Sequence, residues 1–148
     1  MMVLAGWAAG VVGAASGLVS ALADTDVRMV VTPGRCVDLR IGNELVGCDQ
    51  LTTIVTAHSG RIAYALRTAA GSLQFVGYGG MPLDRDKHLL LVANIIDRNT
   101  TRDVTGQCIA VLAPDGGTVT RLVCDVTYSD GKIHAEFQSS GAPGEGAL

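Results

Sequence analysis

The chain has 148 residues, 48% hydrophobic, 17% charged and 4% aromatic, a composition that excludes a disordered tail, a collagen-like repeat and an array of several domains. Its 11 Lys and Arg against 14 Asp and Glu leave a formal charge of −3, with a pI near 5.4. The basic footprint of a domain that neutralises many phosphates is missing, so nucleic acid is not an expected partner.

Residues 1–23 carry no charged side chain and are mostly Ala, Gly, Val and Leu. They end in Ala21-Leu22-Ala23 before Asp24, the small-x-small pattern that a signal peptidase cleaves. The segment therefore reads as a signal peptide, with a mature chain starting at Asp24. One feature departs from that pattern: no basic n-region precedes the apolar run, and the first cationic residue is Arg28. The rival is a retained transmembrane anchor, since the run is long enough to span a bilayer and Gly6, Gly10, Gly13 and Gly17 form a small-residue stripe. Against the anchor, these glycines make a poor helix. On either reading the folded part lies outside the cytoplasm, in a periplasm or extracellular space. On the first, the mature form has no membrane span.

From Val27 onward short apolar-alternating runs are separated by Gly-containing turns, and no amphipathic helix interrupts them, the signature of an antiparallel all-β domain over 24–138. The first pieces are Val27–Val31 and Cys36–Ile41, with a Gly42-Asn43 turn into Glu44–Val46. Four cysteines, Cys36, Cys48, Cys108 and Cys124, lie in the exported part. An even count in an oxidising compartment reads as two disulfides; of the three possible connectivities the sequence-local one, Cys36–Cys48 with Cys108–Cys124, is expected. No C-x-x-C or Cys/His ligand spacing favours zinc or thiol chemistry instead. In a strict Gly42-Asn43 hairpin Cys36 and Cys48 miss each other by one residue, so that bridge needs a bulge, with Gly47 the obvious place.

A first meander follows over residues 52–78. Ser59-Gly60 is expected to join His58 to Arg61, setting Ala57 against Ile62 and Val55 against Tyr64. The Thr68-Ala69-Ala70-Gly71 turn pairs Arg67 with Ser72, Leu66 with Leu73, Tyr64 with Phe75 and Ile62 with Gly77, apolar on one face throughout. The other face carries Ala65 with Gln74, Ala63 with Val76 and Arg61 with Tyr78, a shallow apolar patch with a cationic rim. The irregular stretch Gly79–His88 comes next. Leu89–Ile96 is apolar on both faces and reads as a central buried strand, a short buried helix being the alternative.

The second meander spans residues 107–138. Pro114–Thr118 forms a loop that pairs Ala113 with Val119, Ala110 with Leu122 and Cys108 directly with Cys124, so strand register supports the disulfide independently of the cysteine count. A turn at Asp130-Gly131, with Gly131 taken to adopt positive φ, sets Tyr128 against Ile133, Val126 against Ala135 and Cys124 against Phe137, with Thr127 facing His134 and Asp125 facing Glu136 on the wet side. Ser139–Leu148 reads as a flexible tail. About eight strands suit a small sandwich or a closed barrel.

The stretch between the meanders holds the densest charges, and loops on a rigid β scaffold are where binding residues gather. Asp84, Arg85, Asp86, Lys87 and His88, with Tyr78 and Arg61 of the patch, are the candidate binding residues; the competing reading is a solvated crossover. His58, His88 and His134 share no short metal spacing and read as surface histidines. The chain lacks a G-x-S-x-G elbow and a buried carboxylate pair, which leans against an enzyme, and no cofactor is implied. The expectation is an exported binding module with a protein or envelope partner; the alternative is a small barrel carrying an apolar ligand in space left by Gly77, Ala57, Ala110 and Ala135. A hydrolase or metal enzyme is the third reading.

Overall fold

The structure, a computed structural model, describes residues 26–140. The expected signal peptide, and the expected tail beyond Ser140, lie outside the described residues. Ten strands follow in order: β1 (Val27–Ile41), β2 (Glu44–Leu45), β3 (Cys48–Thr56), β4 (Arg61–Thr68), β5 (Gly71–Tyr78), β6 (Met81–Pro82), β7 (Lys87–Asp97), β8 (Thr100–Leu112), β9 (Val119–Tyr128) and β10 (Gly131–Ser139). The run Leu89–Ile96 is thus a strand, but it is buried on its inner face only, with Leu91 58% exposed on the outer one, and Ser139 belongs to β10, where it is buried.

Each long strand pairs antiparallel with the next, and the circle closes where β10 returns to β1. The result is an eight-stranded closed antiparallel barrel, with β2 and β6 as short additions. Closure, which decides barrel over sandwich, depends on β1. Its first half, Val27–Pro33, pairs β3, and its second half, Gly34–Ile41, pairs β10. Gly34 stands at the changeover. A Cβ there would collide with the Gln138 carbonyl and come 2.6 Å from the Phe137 ring, so the two strands can meet only because that side chain is absent.

Both disulfides form as expected. Cys108 faces Cys124 on adjacent strands, Cα atoms 4.0 Å apart. The Cys36–Cys48 bridge does need irregular backbone, but not at Gly47. Two register shifts supply it, one between Cys36 and Asp38 against β10 and one between Cys48 and Gln50 against β4.

The second turn of the first meander has the expected register, from Arg67 with Ser72 to Arg61 with Tyr78. Three other pairings differ. At the first turn Val55 pairs Ile62 and Thr56 pairs Arg61, because the connection is the four-residue Ala57–Gly60, closed by Gly60 at φ 73° donating to the Thr56 carbonyl. At the last turn Tyr128 pairs Gly131, so His134 faces Asp125 and Glu136 faces Val123. The connection there is Ser129-Asp130, and Gly131 has no positive φ. Its role is steric instead: a Cβ would come 2.7 Å from the Tyr128 hydroxyl, in a ring over which Arg102 stacks at 4.6 Å. Both slips are of two residues, so every side chain kept its face and the apolar pattern could not detect them. In the third, an irregularity between Val111 and Leu112 moves Val119 onto Leu112, while Ala113 N–H donates to the Thr118 carbonyl.

The barrel interior is packed with side chains. Leu39, Leu51, Leu66, Phe75, Leu122 and Phe137 are fully buried, together with both halves of the Cys108–Cys124 bridge. One mouth is formed by the hairpin turns after β1, β4, β7 and β9. The other carries the longer connections after β3, β5 and β8 and both ends of the described chain.

Candidate functional site

Because side chains alternate along each strand, the residues between the core positions point away from the barrel. On β1 the outward positions Val27, Met29 and Val31 are apolar, and one apolar row continues from them across β3, β4 and β5. Hydrogen-bonded pairing places Met29 beside Ile54, Ile54 beside Ala63 and Ala63 beside Val76, a row that crosses four strands and ends at Asn94 of β7. Flanking rows add Val27, Thr56, Arg61 and Tyr78 on the side of the terminal mouth, and Val31, Thr52, Ala65, Gln74 and Ile96 on the other. Met29 and Val31 are 60% and 55% exposed. Ala63 and Val76 are buried although they stand apart from the interior cluster. Contiguous exposed apolar patches are uncommon on the exterior of soluble domains.

Two arginines and one carboxylate carry the charge on this face. Arg61 stands in the rim row beside Tyr78, and Arg67 lies two residues beyond Ala65. Arg67 is already engaged: it holds both oxygens of Asp49, at 2.8 and 3.0 Å. That two-pronged hydrogen bond lowers the Asp49 carboxyl below the usual carboxylate range and raises the guanidinium in turn. Arg61 makes no side-chain ion pair or hydrogen bond among the described residues.

The expected site is thereby divided. Tyr78 and Arg61 are cross-strand neighbours on the apolar face, Tyr78 exposed and Arg61 half-buried. Asp84, Arg85, Asp86 and Lys87 are exposed on the β5–β7 connection, which returns through β6; there Met81 pairs Leu89 and Pro82 pairs His88. Backbone bonds pin this segment, Leu83 N–H to the Lys87 carbonyl and Leu112 N–H to the Asp86 carbonyl, and Asp84 caps the N–H of Arg85. The charged side chains of Asp84 to Lys87 meet no ion-pair partner among the described residues. His88 shares the inward parity of Leu90 at the terminal mouth, and His134 lies on the outer wall, so they do not converge.

The β1 part of the face, Val27, Met29 and Val31, escaped the sequence reading. Its signal was present in the Val-Arg-Met-Val-Val run, but deciding which of these residues point outward requires the β1–β3 register. The hairpin mouth holds a second feature, an open cleft of about 700 Å³ lined by Ile41, Leu45, Val46, Arg67, Leu73 and Arg98 among others.

Comparison with protein-family models, with curated proteins and with solved structures finds no match for this chain.

Proposed function

We propose that this chain is an exported interaction module that docks a partner protein on the outer face of β1, β3, β4 and β5. The carrying observation is the contiguous apolar row from Met29 to Val76, left open at its β1 end. The two disulfides are consistent with an oxidising compartment, where such modules work. Charge complementarity points to the partner: an apolar patch bordered by a carboxylate that pairs Arg61, the cation on this face whose side chain has no ion pair or hydrogen bond among the described residues. Tyr78 beside it supplies the amphipathic ring that interfaces favour.

The alternative, an apolar ligand inside the barrel, has less support. Beside Gly77 the space is taken by Leu90, whose Cδ1 would lie 2.9 Å from an added Cβ. Ala110 and Ala135 are buried within the packed core, and Ala57 lies in an exposed turn.

The test places a photocrosslinking amino acid at Met29 and, as control, at Leu45 on the hairpin mouth, in protein recovered from the exported fraction. Expected is a discrete adduct with a second protein at position 29, absent at 45 and abolished by Arg61→Glu. Adducts at both positions, at neither, or only within the chain itself sink the reading.

A further inference from the structure

The outer wall on the opposite side of β1 carries different chemistry. There β1, β10 and β9 lie side by side, and alternation turns Asp38, Arg40, His134, Glu136, Asp125 and Arg121 outward together. Pairing sets Asp38 beside Glu136, Arg40 beside His134 and His134 beside Asp125. One imidazole nitrogen, Nε2 of His134, stands 3.2 Å from Glu136 Oε1 and 3.7 Å from Asp38 Oδ2. These three donor atoms all lie within 4.8 Å of one another.

Each of the three is also held from behind. Asp125 Oδ1 accepts from Nδ1 of His134 at 2.6 Å, which fixes the ring and turns Nε2 towards the two carboxylates. Arg40 takes the other oxygen of Asp38 at 3.0 Å, and Arg121 reaches the other oxygen of Glu136 at 3.6 Å. So each carboxylate spends one oxygen on an arginine and presents its second to the same point as Nε2. Metal-binding histidines characteristically donate their remaining N–H to a carboxylate, and ligating carboxylates are likewise held by outer partners.

We propose that Asp38, His134 and Glu136 form a divalent transition-metal site on the outer wall of the barrel, with Asp125, Arg40 and Arg121 as its positioning shell. One imidazole nitrogen with two carboxylate oxygens suits zinc among the available ions, with solvent completing an open tetrahedral position. Two ligands at about 2.1 Å from a tetrahedral zinc are separated by about 3.4 Å, and the observed 3.2 and 3.7 Å bracket that spacing. The site is distinct from the apolar docking face and does not rest on it. Ligation needs an unprotonated Nε2, so binding is best read at mildly alkaline pH.

The test titrates Zn²⁺ into chelator-treated, fully oxidised protein by calorimetry; with both cysteine pairs bridged no thiolate competes. Expected is one equivalent bound by the wild type and by Asp84→Asn, none by His134→Gln, and binding about 10–100-fold weaker in Asp125→Asn. The paired variant Asp38→Asn with Glu136→Gln must also lose zinc, which keeps the test decisive if His134→Gln fails to fold. No zinc uptake by the wild type, or uptake that survives in a folded His134→Gln or in the carboxylate double variant, overturns the assignment.

Discussion

Tyr64 is 5% exposed inside the barrel, and burial pushes its phenol from 10.0 up to about 12. Because the charged form is disfavoured only in the folded chain, this group's contribution to stability is whole below about pH 10 and is lost as pH rises towards 12. Tyrosinate absorbance should therefore show a late step near pH 12 that Tyr64→Phe removes, and the variant should resist alkaline unfolding better than the wild type. Two other buried groups, the hydroxyls of Thr32 and Thr53, meet no hydrogen-bond partner among the described residues. A desolvated hydroxyl without a partner costs on the order of 1 kcal/mol or more, whereas valine has nearly the same shape. Thr32→Val is expected to be neutral or to raise the melting temperature; a clear fall would mean the hydroxyl is satisfied in solution.

At the scale of elements, strand faces were legible and connections were less so. The period of two separates Leu66, Tyr64 and Phe75 from Ala65, Ala63 and Val76 without ambiguity, and the pairing of β4 with β5 follows. The turns into β4 and β10 each slipped by two residues, because such a slip leaves every face unchanged and only local hydrogen bonding distinguishes the registers. The glycines divide in the same way. Among the described residues Gly117 meets nothing within 4 Å of an added Cβ, whereas Gly34 meets the β10 backbone. Gly34→Ala is expected to cost on the order of 3 kcal/mol by forcing β1 from β10, and Gly117→Ala little. Denaturant melts of the two variants check this; equal midpoints would contradict closure through Gly34.

For the molecule as a whole, closure removes the exposed edges that an open eight-stranded sheet would present, and β2 and β6 are only two residues long. The two bridges staple different strand pairs of the wall, β1 with β3 and β8 with β9. Cys36–Cys48 spans 12 residues around the hairpin mouth, and Cys108–Cys124 spans 16 across the β8–β9 hairpin. In the chain-entropy model each contributes about 3 kcal/mol by restricting the unfolded chain. Thiol titration should find no reactive cysteine in native or denatured protein, and reduction should lower the denaturation midpoint substantially. Two or more free thiols would remove the staples from the account.

The sequence by itself determined the all-β class, the alternating faces, both disulfide pairings and the two meanders, since each depends on residue type at short range: period-two patterning, turn glycines and cysteine spacing. Tertiary structure alone decided closure into a barrel, because β1 must bend at Gly34 to serve two neighbours separated by most of the chain. It alone assembled the surfaces as well. Met29 joins the row of Ile54, Ala63 and Val76 only through strand order, and Asp38 meets His134 only where the first long strand closes on the last. The candidate residues Arg61 and Tyr78 were legible as a cross-strand pair; the apolar row beside them was not, because orientation on β1 is set by a partner strand rather than by its own residues.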